Sequence, residues 1–181
     1  MKRLLQNIIM ACVMLITACD ADTVESKFST YRASFSLSPV NTIAPLNQAL
    51  NSFGEFCTIT ADSKRYYFRT LENSQPVNRD AYAAYKTFIC IGGFIVGKSS
   101  QTELGTNGYP LMCYDLCCPN CWHNDNIAKN MSLKEGGRAS CNRCHRTYDL
   151  NNEGLIVSGE KGRKLERYRI NYNGTAIMIA N

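Results

Sequence analysis

A chain of 181 residues that is 45% hydrophobic and 19% charged has the make-up of a folded protein, one domain by default or two small ones, and not of a disordered one. Its formal charge of +5 includes Lys2 and Arg3, which lie in a segment expected to be removed; the remaining 18 basic and 15 acidic residues leave too little positive charge for a nucleic-acid partner. Ten cysteines in this length demand an explanation by lipidation, metal binding or pairing.

The first segment has the order of a secretory signal. Lys2 and Arg3 form a positive start, and residues 4–17 are largely apolar, interrupted by Gln6 and Asn7. The run is too short for a membrane-spanning helix. Ile16-Thr17-Ala18-Cys19 then resembles a lipobox, which implies that the Cys19 thiol is acylated and becomes the mature N-terminus. Two or three acyl chains anchor stably where one is marginal. Residues 1–18 are therefore predicted to be a lipoprotein signal peptide. Residues 19–29, which include Asp20, Asp22 and Glu25, are predicted to be a flexible tether. This places a bacterial lipoprotein in the cell envelope, on the periplasmic or cell-surface side.

From residue 30 to 181 the chain reads as short strands separated by turns. Tyr31, Ala33, Phe35 and Leu37 alternate onto one strand face. Ile43, Leu46, Leu50 and Phe53 fit one short helix that Gly54 would stop. Residues 56–60 and 66–71 are predicted strands around a turn at 61–64. Residues 87–96 form the most apolar run of the mature chain, with Gly92-Gly93 marking a bulge or a close backbone approach. Near the end, Tyr168, Ile170 and Tyr172 share a face opposite Arg167, Arg169 and Asn171. Asn173-Gly174 then announces a hairpin, with residues 176–180 returning. Many short strands and a single helix predict a β-sandwich or barrel.

Two CxxC pairs carry the chemistry: Cys118-Pro119-Asn120-Cys121-Trp122 and Cys141-Asn142-Arg143-Cys144-His145. A two-residue gap lets one tight turn aim both thiolates at one ion, and two such knuckles complete a tetrahedron with sulfur about 2.3 Å from zinc. Each pair closed as its own disulfide is the competing reading. Cys117 competes with Cys118 for the ligand position, and Pro119 favours Cys118. Setting aside Cys12 and Cys19 leaves Cys57, Cys90, Cys113 and Cys117. Cys57 and Cys90, both in apolar strands, read equally as a disulfide and as buried thiols.

The second half resembles the Rieske iron–sulfur family. The resemblance runs through Gly92-Gly93-Phe94-Ile95-Val96 and Tyr114-Asp115-Leu116. It continues from Cys141 to Leu150 by way of Tyr148-Asp149, then to Gly154 and Lys164-Leu165-Glu166-Arg167-Tyr168. It implies two ligand loops on a β-sandwich, an aromatic-Asp-Leu strand, a turn glycine and a Leu-x-x-Tyr strand. The ligands depart from the family: Rieske loops carry two histidines, whereas Cys144 stands at the second of those places, and His123 and His145 fall out of register. The proline loop that often covers a Rieske cluster is replaced by residues 158–164. The expectation is a mostly β, Rieske-like β-sandwich with a rubredoxin- or zinc-ribbon-like metal-loop subdomain over about 113–158.

A closed set of four thiolates suits structural zinc, and iron or a [2Fe–2S] cluster is the alternative. No nucleophile–base pair, HExxH run or phosphate loop appears, so a non-enzymatic module is expected, with an electron carrier as the alternative. The expected partner is the membrane, through Cys19; no small-molecule substrate is evident. Trp122 is expected to shield the metal loops against the sandwich edge. The basic stretch Lys161, Arg163, Lys164, Arg167 and Arg169 is expected to be a solvated strand face.

Overall fold

The computed structural model describes residues 26–79, 87–103, 105 and 107–181. Residues 1–18, expected to be a signal peptide, Cys19 and most of the stretch expected to be a tether lie outside them. Among the described residues the chain is mostly β, with twelve strands in three antiparallel sheets and two short helices.

The first sheet joins the two ends of the body. β1 (Ser34–Leu37) pairs with β12 (Ile177–Ala180), which pairs with β11 (Arg169–Tyr172). The alternation read from sequence holds: Ala33, Phe35 and Leu37 are buried, and Tyr31 packs partly buried against the same core. The hairpin turn forms as its residues require. Gly174 sits at φ 89°, and the Asn173 side chain accepts from the Thr175 and Ala176 amides at 3.0 and 2.8 Å.

The second sheet has the order β4-β3-β2-β5-β6: Ser74–Asn78, Arg65–Arg69, Phe56–Ala61, Phe94–Lys98 and Leu111–Asp115. β4 is polar and carries Pro76, which hid it from a hydrophobic-pattern reading; proline is tolerated there because the strand is an edge. The β2–β3 turn is fixed by Asp62, which accepts from the Lys64 and Arg65 amides at 2.7 Å each. The apolar run over 87–96 is a strand only from Phe94. Before it the chain makes one bridge, Ile89 to Ser34, and then turns through Gly92 and Gly93.

Helix α1 (Ala44–Asn51) begins with Pro45 in its first turn and buries Leu46, Ala49 and Leu50. The spacing extended that face to Phe53, but the helix ends at Ser52. Phe53 is 55% exposed, with its ring tilted against Tyr109 at 4.6 Å and under the Lys98 ammonium at 4.5 Å.

The third sheet, β10-β9-β8-β7, is built from Leu155–Ser158, Thr147–Asp149, Arg138–Ser140 and Ser132–Lys134. A second helix, α2 (Pro119–Asp125), which the sequence reading did not anticipate, starts inside the first knuckle. Two hydrophobic clusters result. One joins the first two sheets and α1 around Phe35, Phe68, Phe94 and Tyr168; the other joins the far side of β5 and β6 to the third sheet around Tyr114, Tyr148, Leu150 and the knuckle cysteines.

Candidate metal centre

The end of β6 delivers the first knuckle, and a buried carboxylate sets its direction. Asp115 accepts from the amides of Ile91 (2.8 Å), Gly92 (3.0 Å) and Cys117 (2.7 Å) and from the Tyr168 hydroxyl (2.9 Å). Burial raises its carboxyl above the usual range, against the pull of those four donors. Gly92 is the close approach foreseen: a Cβ there would lie 2.9 Å from the Cys117 Cβ. The chain thus turns at Cys117, whose sulfur faces the Cys118 carbonyl at 3.7 Å, and Cys118 becomes the first inward thiol.

α2 carries that turn onward. Pro119 occupies its first position, where a missing N–H does no harm. The Trp122 amide bonds the Cys118 carbonyl at 3.0 Å, bringing Cys121 back beside Cys118. The second knuckle closes between β8 and β9: the His145 amide bonds the Cys141 carbonyl, and the Cys141 amide bonds the Arg146 carbonyl, each at 3.0 Å. His145 takes a left-handed backbone, φ 57°, to complete the turn.

The four sulfurs of Cys118, Cys121, Cys141 and Cys144 all lie within 4.8 Å of one another. Across the knuckles, Cys118 and Cys144 are 3.5 Å apart and Cys121 and Cys141 are 3.7 Å apart. A tetrahedron with 2.3 Å metal–sulfur bonds has an edge of about 3.8 Å. All four are free thiols, so neither knuckle is sealed as a disulfide. Cys118, Cys121 and Cys141 are buried and Cys144 is half-buried. The donor set therefore has the geometry to hold one metal ion. Neither histidine joins the group. His123 pairs with Glu166 at 2.9 Å, and His145 is exposed.

The polar surroundings of the sulfurs were not legible as site residues. The Tyr148 hydroxyl sits 3.3 Å from the Cys118 sulfur and accepts from the Asn120 amide at 2.9 Å. Burial raises the Tyr148 hydroxyl well above its ordinary value, and the Cys118 sulfur adds to this. Burial also pushes the Cys144 thiol up, but the Arg146 amide, the Arg146 guanidinium and the neighbouring thiols overcome it and bring the thiol down to about 7. Burial raises Cys118 and Cys121, and the neighbouring thiols add to the shift of Cys121. The available signal for these partners was their position: Asn120 lies inside the first CxxC, and Arg146 and Tyr148 directly follow the second.

Asn120 and Arg146 also hold a strap across the centre. Asn120 bonds the Arg163 carbonyl and accepts from the Arg163 amide, both at 2.9 Å. Arg146 donates to the Glu160 carbonyl at 3.0 Å and to its carboxylate at 2.9 Å. The strap passes close because Gly162 lacks a side chain; a Cβ there would stand 2.9 Å from the Asn120 Cγ. Residues 158–164 thus cover the knuckles without a proline.

Other residues fall as follows. Cys57 and Cys90 are free thiols, Cys57 fully buried with its sulfur on the Thr58 carbonyl at 3.4 Å. Trp122 is half-buried. Arg167 departs from the solvated face expected of it. It is 6% exposed and makes two bonds to the Glu103 carboxylate, at 2.8 and 2.9 Å, because its backbone bridges to Tyr114 in the interior. No family model matches the chain, and no curated protein matches it. Among the described residues no helix is long and apolar enough to cross a membrane.

Proposed function

We propose that this chain is a membrane-anchored envelope lipoprotein whose Rieske-like β body holds one structural zinc ion on Cys118, Cys121, Cys141 and Cys144, and that it works as a non-enzymatic binding or structural module. The observation that carries the reading is the sulfur group itself: four cysteines, mutually within 4.8 Å, with no histidine or carboxylate of the described residues joining them. Zinc in such a cage has no open position for water or substrate, so its role is to lock two loops together. A two-iron cluster would spread its two sulfur pairs across an iron–sulfide rhomb, and the 4.8 Å grouping of the sulfurs favours a single ion over it.

The Rieske-like part of the reading is supported by where the resembling residues fall. Tyr148 and Asp149 lie on β9 directly after the second knuckle. Gly154 makes a turn at φ 70°, where a Cβ would meet Leu165 at 2.6 Å. Leu165 and Tyr168 are both buried. The anchor rests on the lipobox-like run ending at Cys19.

One observation favours the second reading, an electron carrier with a single iron in the same cage. Cys144 is the half-buried ligand, which brings one sulfur near the surface where an electron could leave. Elemental analysis and visible absorption of the purified protein decide between the two. One zinc per chain and a colourless solution are expected. One iron and a red solution would replace the first reading with the second. A metal-free protein with each CxxC pair oxidised would end both.

A further inference from the structure

A feature unused by the metal centre lies beside it. A cleft of about 610 Å³ opens between residues 26–31, β10 and the stretch over 162–167. Its lining includes Leu155, Ile156 and Leu165, and Lys27, Arg163 and Lys164 stand there against one carboxylate, Glu166, while Arg167 is turned inward to Glu103. The charges facing it are accounted for one by one. His123 engages Glu166, Glu103 engages Arg167 and Lys27, and Glu153 reaches Lys164 at 3.6 Å. Arg163 and Lys161 have no acidic partner among the described residues.

The cleft continues across β10, an edge strand of its sheet, into a shallow depression that includes Val157 and Lys161. Leu155 and Val157 are 43% and 47% exposed there. A solvated strand explains the cations but not two large apolar side chains set among them.

We propose that this face rests on the headgroups of an anionic bilayer, an inference that builds on the acylation of Cys19. Two observations select that occupant. Cations interleaved with apolar side chains match a surface with anionic headgroups above and hydrocarbon below. The second observation is reach. Ser26 lines the cleft, and it follows Cys19 by seven residues. Seven residues extend at most about 25 Å, so the leash delivers this face, and not the opposite one, to the membrane. An acidic protein segment would satisfy the charge but not the leash.

The test uses residues 20–181 without the acyl groups, since all three sheets and both hydrophobic clusters are built from residues after Ser26. Co-sedimentation is measured with phosphatidylcholine vesicles, with vesicles also containing phosphatidylglycerol, and with soluble polyglutamate. Salt-sensitive binding to the anionic vesicles alone is expected. Each cation at an anionic surface strengthens binding about fivefold, so the combined Lys161→Gln, Arg163→Gln and Lys164→Gln variant should lose about a hundredfold. Leu155→Ser with Val157→Ser should weaken binding further, and unchanged metal content in both variants confirms that they fold. Equal binding to both vesicle types, no vesicle binding, or no loss in the triple variant would overturn the proposal. Binding to polyglutamate alone would overturn it in favour of an acidic protein partner. Acylation is read separately, from the mass of the full chain extracted from membranes. An unmodified Cys19 refutes the anchor, while the vesicle result still reports on the face.

Discussion

The two hydrophobic clusters are built on different principles. The larger one is a conventional apolar core: Phe35, Tyr66, Phe88 and Phe94 meet edge to face or stacked at 5.3–6.0 Å, and Phe94 continues to Tyr168 at 5.9 Å. The smaller one lies under a sheet with three strands of only three residues each. Strands that short bury little area, and three of the cluster's buried members are the metal-group cysteines Cys118, Cys121 and Cys141. Hydrophobic burial holds the first region together; the second adds sulfur geometry, two polar clamps and a strap to an apolar cluster of its own. On the reading given above, the metal is to the knuckle region what the aromatic cluster is to the body.

The largest expected effect separates the two regions. If the proposed metal is bound, removing it with a chelator should withdraw a binding free energy on the order of 10 kcal/mol from the knuckle region, and Cys144→Ser, which removes one ligand, should withdraw part of it. Amides of β7–β10 should lose hydrogen-exchange protection while those of β2, β5 and β12 keep theirs. Uniform loss across both regions would show that the metal supports the whole body, and no loss in either would show that it supports neither.

The converse break is Phe94→Ala, which empties a site at the centre of the aromatic cluster. It should lower global stability by about 4 kcal/mol in denaturant titration. The metal content of the fraction that remains folded should not change.

A smaller effect tests the seam between the regions. Arg167 and Glu103 form a part-buried pair, and the guanidinium, helped by Lys27, holds the Glu103 carboxyl down to about 2. Because the folded value lies below the ordinary one, the pair contributes fully above about pH 4.5 and is lost as pH falls through about 2. Glu103→Gln should therefore destabilise the protein by about 1–2 kcal/mol at neutral pH, a part-buried pair being screened by solvent. The difference from the unchanged protein should shrink towards pH 2, as measured by urea unfolding across pH. A difference that is constant with pH would remove the ionic explanation.

Much of the body was legible because its signals are local. Alternation in residues 31–37 and the Asn173-Gly174 turn depend on neighbours in the chain, and the spacing of the two CxxC pairs announced four sulfurs around one point. β4 was missed because an edge strand needs neither alternation nor an N–H at Pro76. Phe53 was misplaced because helical spacing does not say where a helix stops. The second helix was hidden because seven residues containing two polar asparagines and a proline carry no helical period.

The choice of sulfur chemistry was thus written in residue types and gaps, since two thiolates three positions apart can meet only through a tight turn. Which neighbours surround those sulfurs was settled by contacts between distant segments. Asn120 reaches Arg163, Arg146 reaches Glu160, Tyr148 reaches Cys118, and Arg167 turns inward to Glu103. No local pattern encodes such meetings, because burial and pairing depend on which strands the whole fold brings side by side.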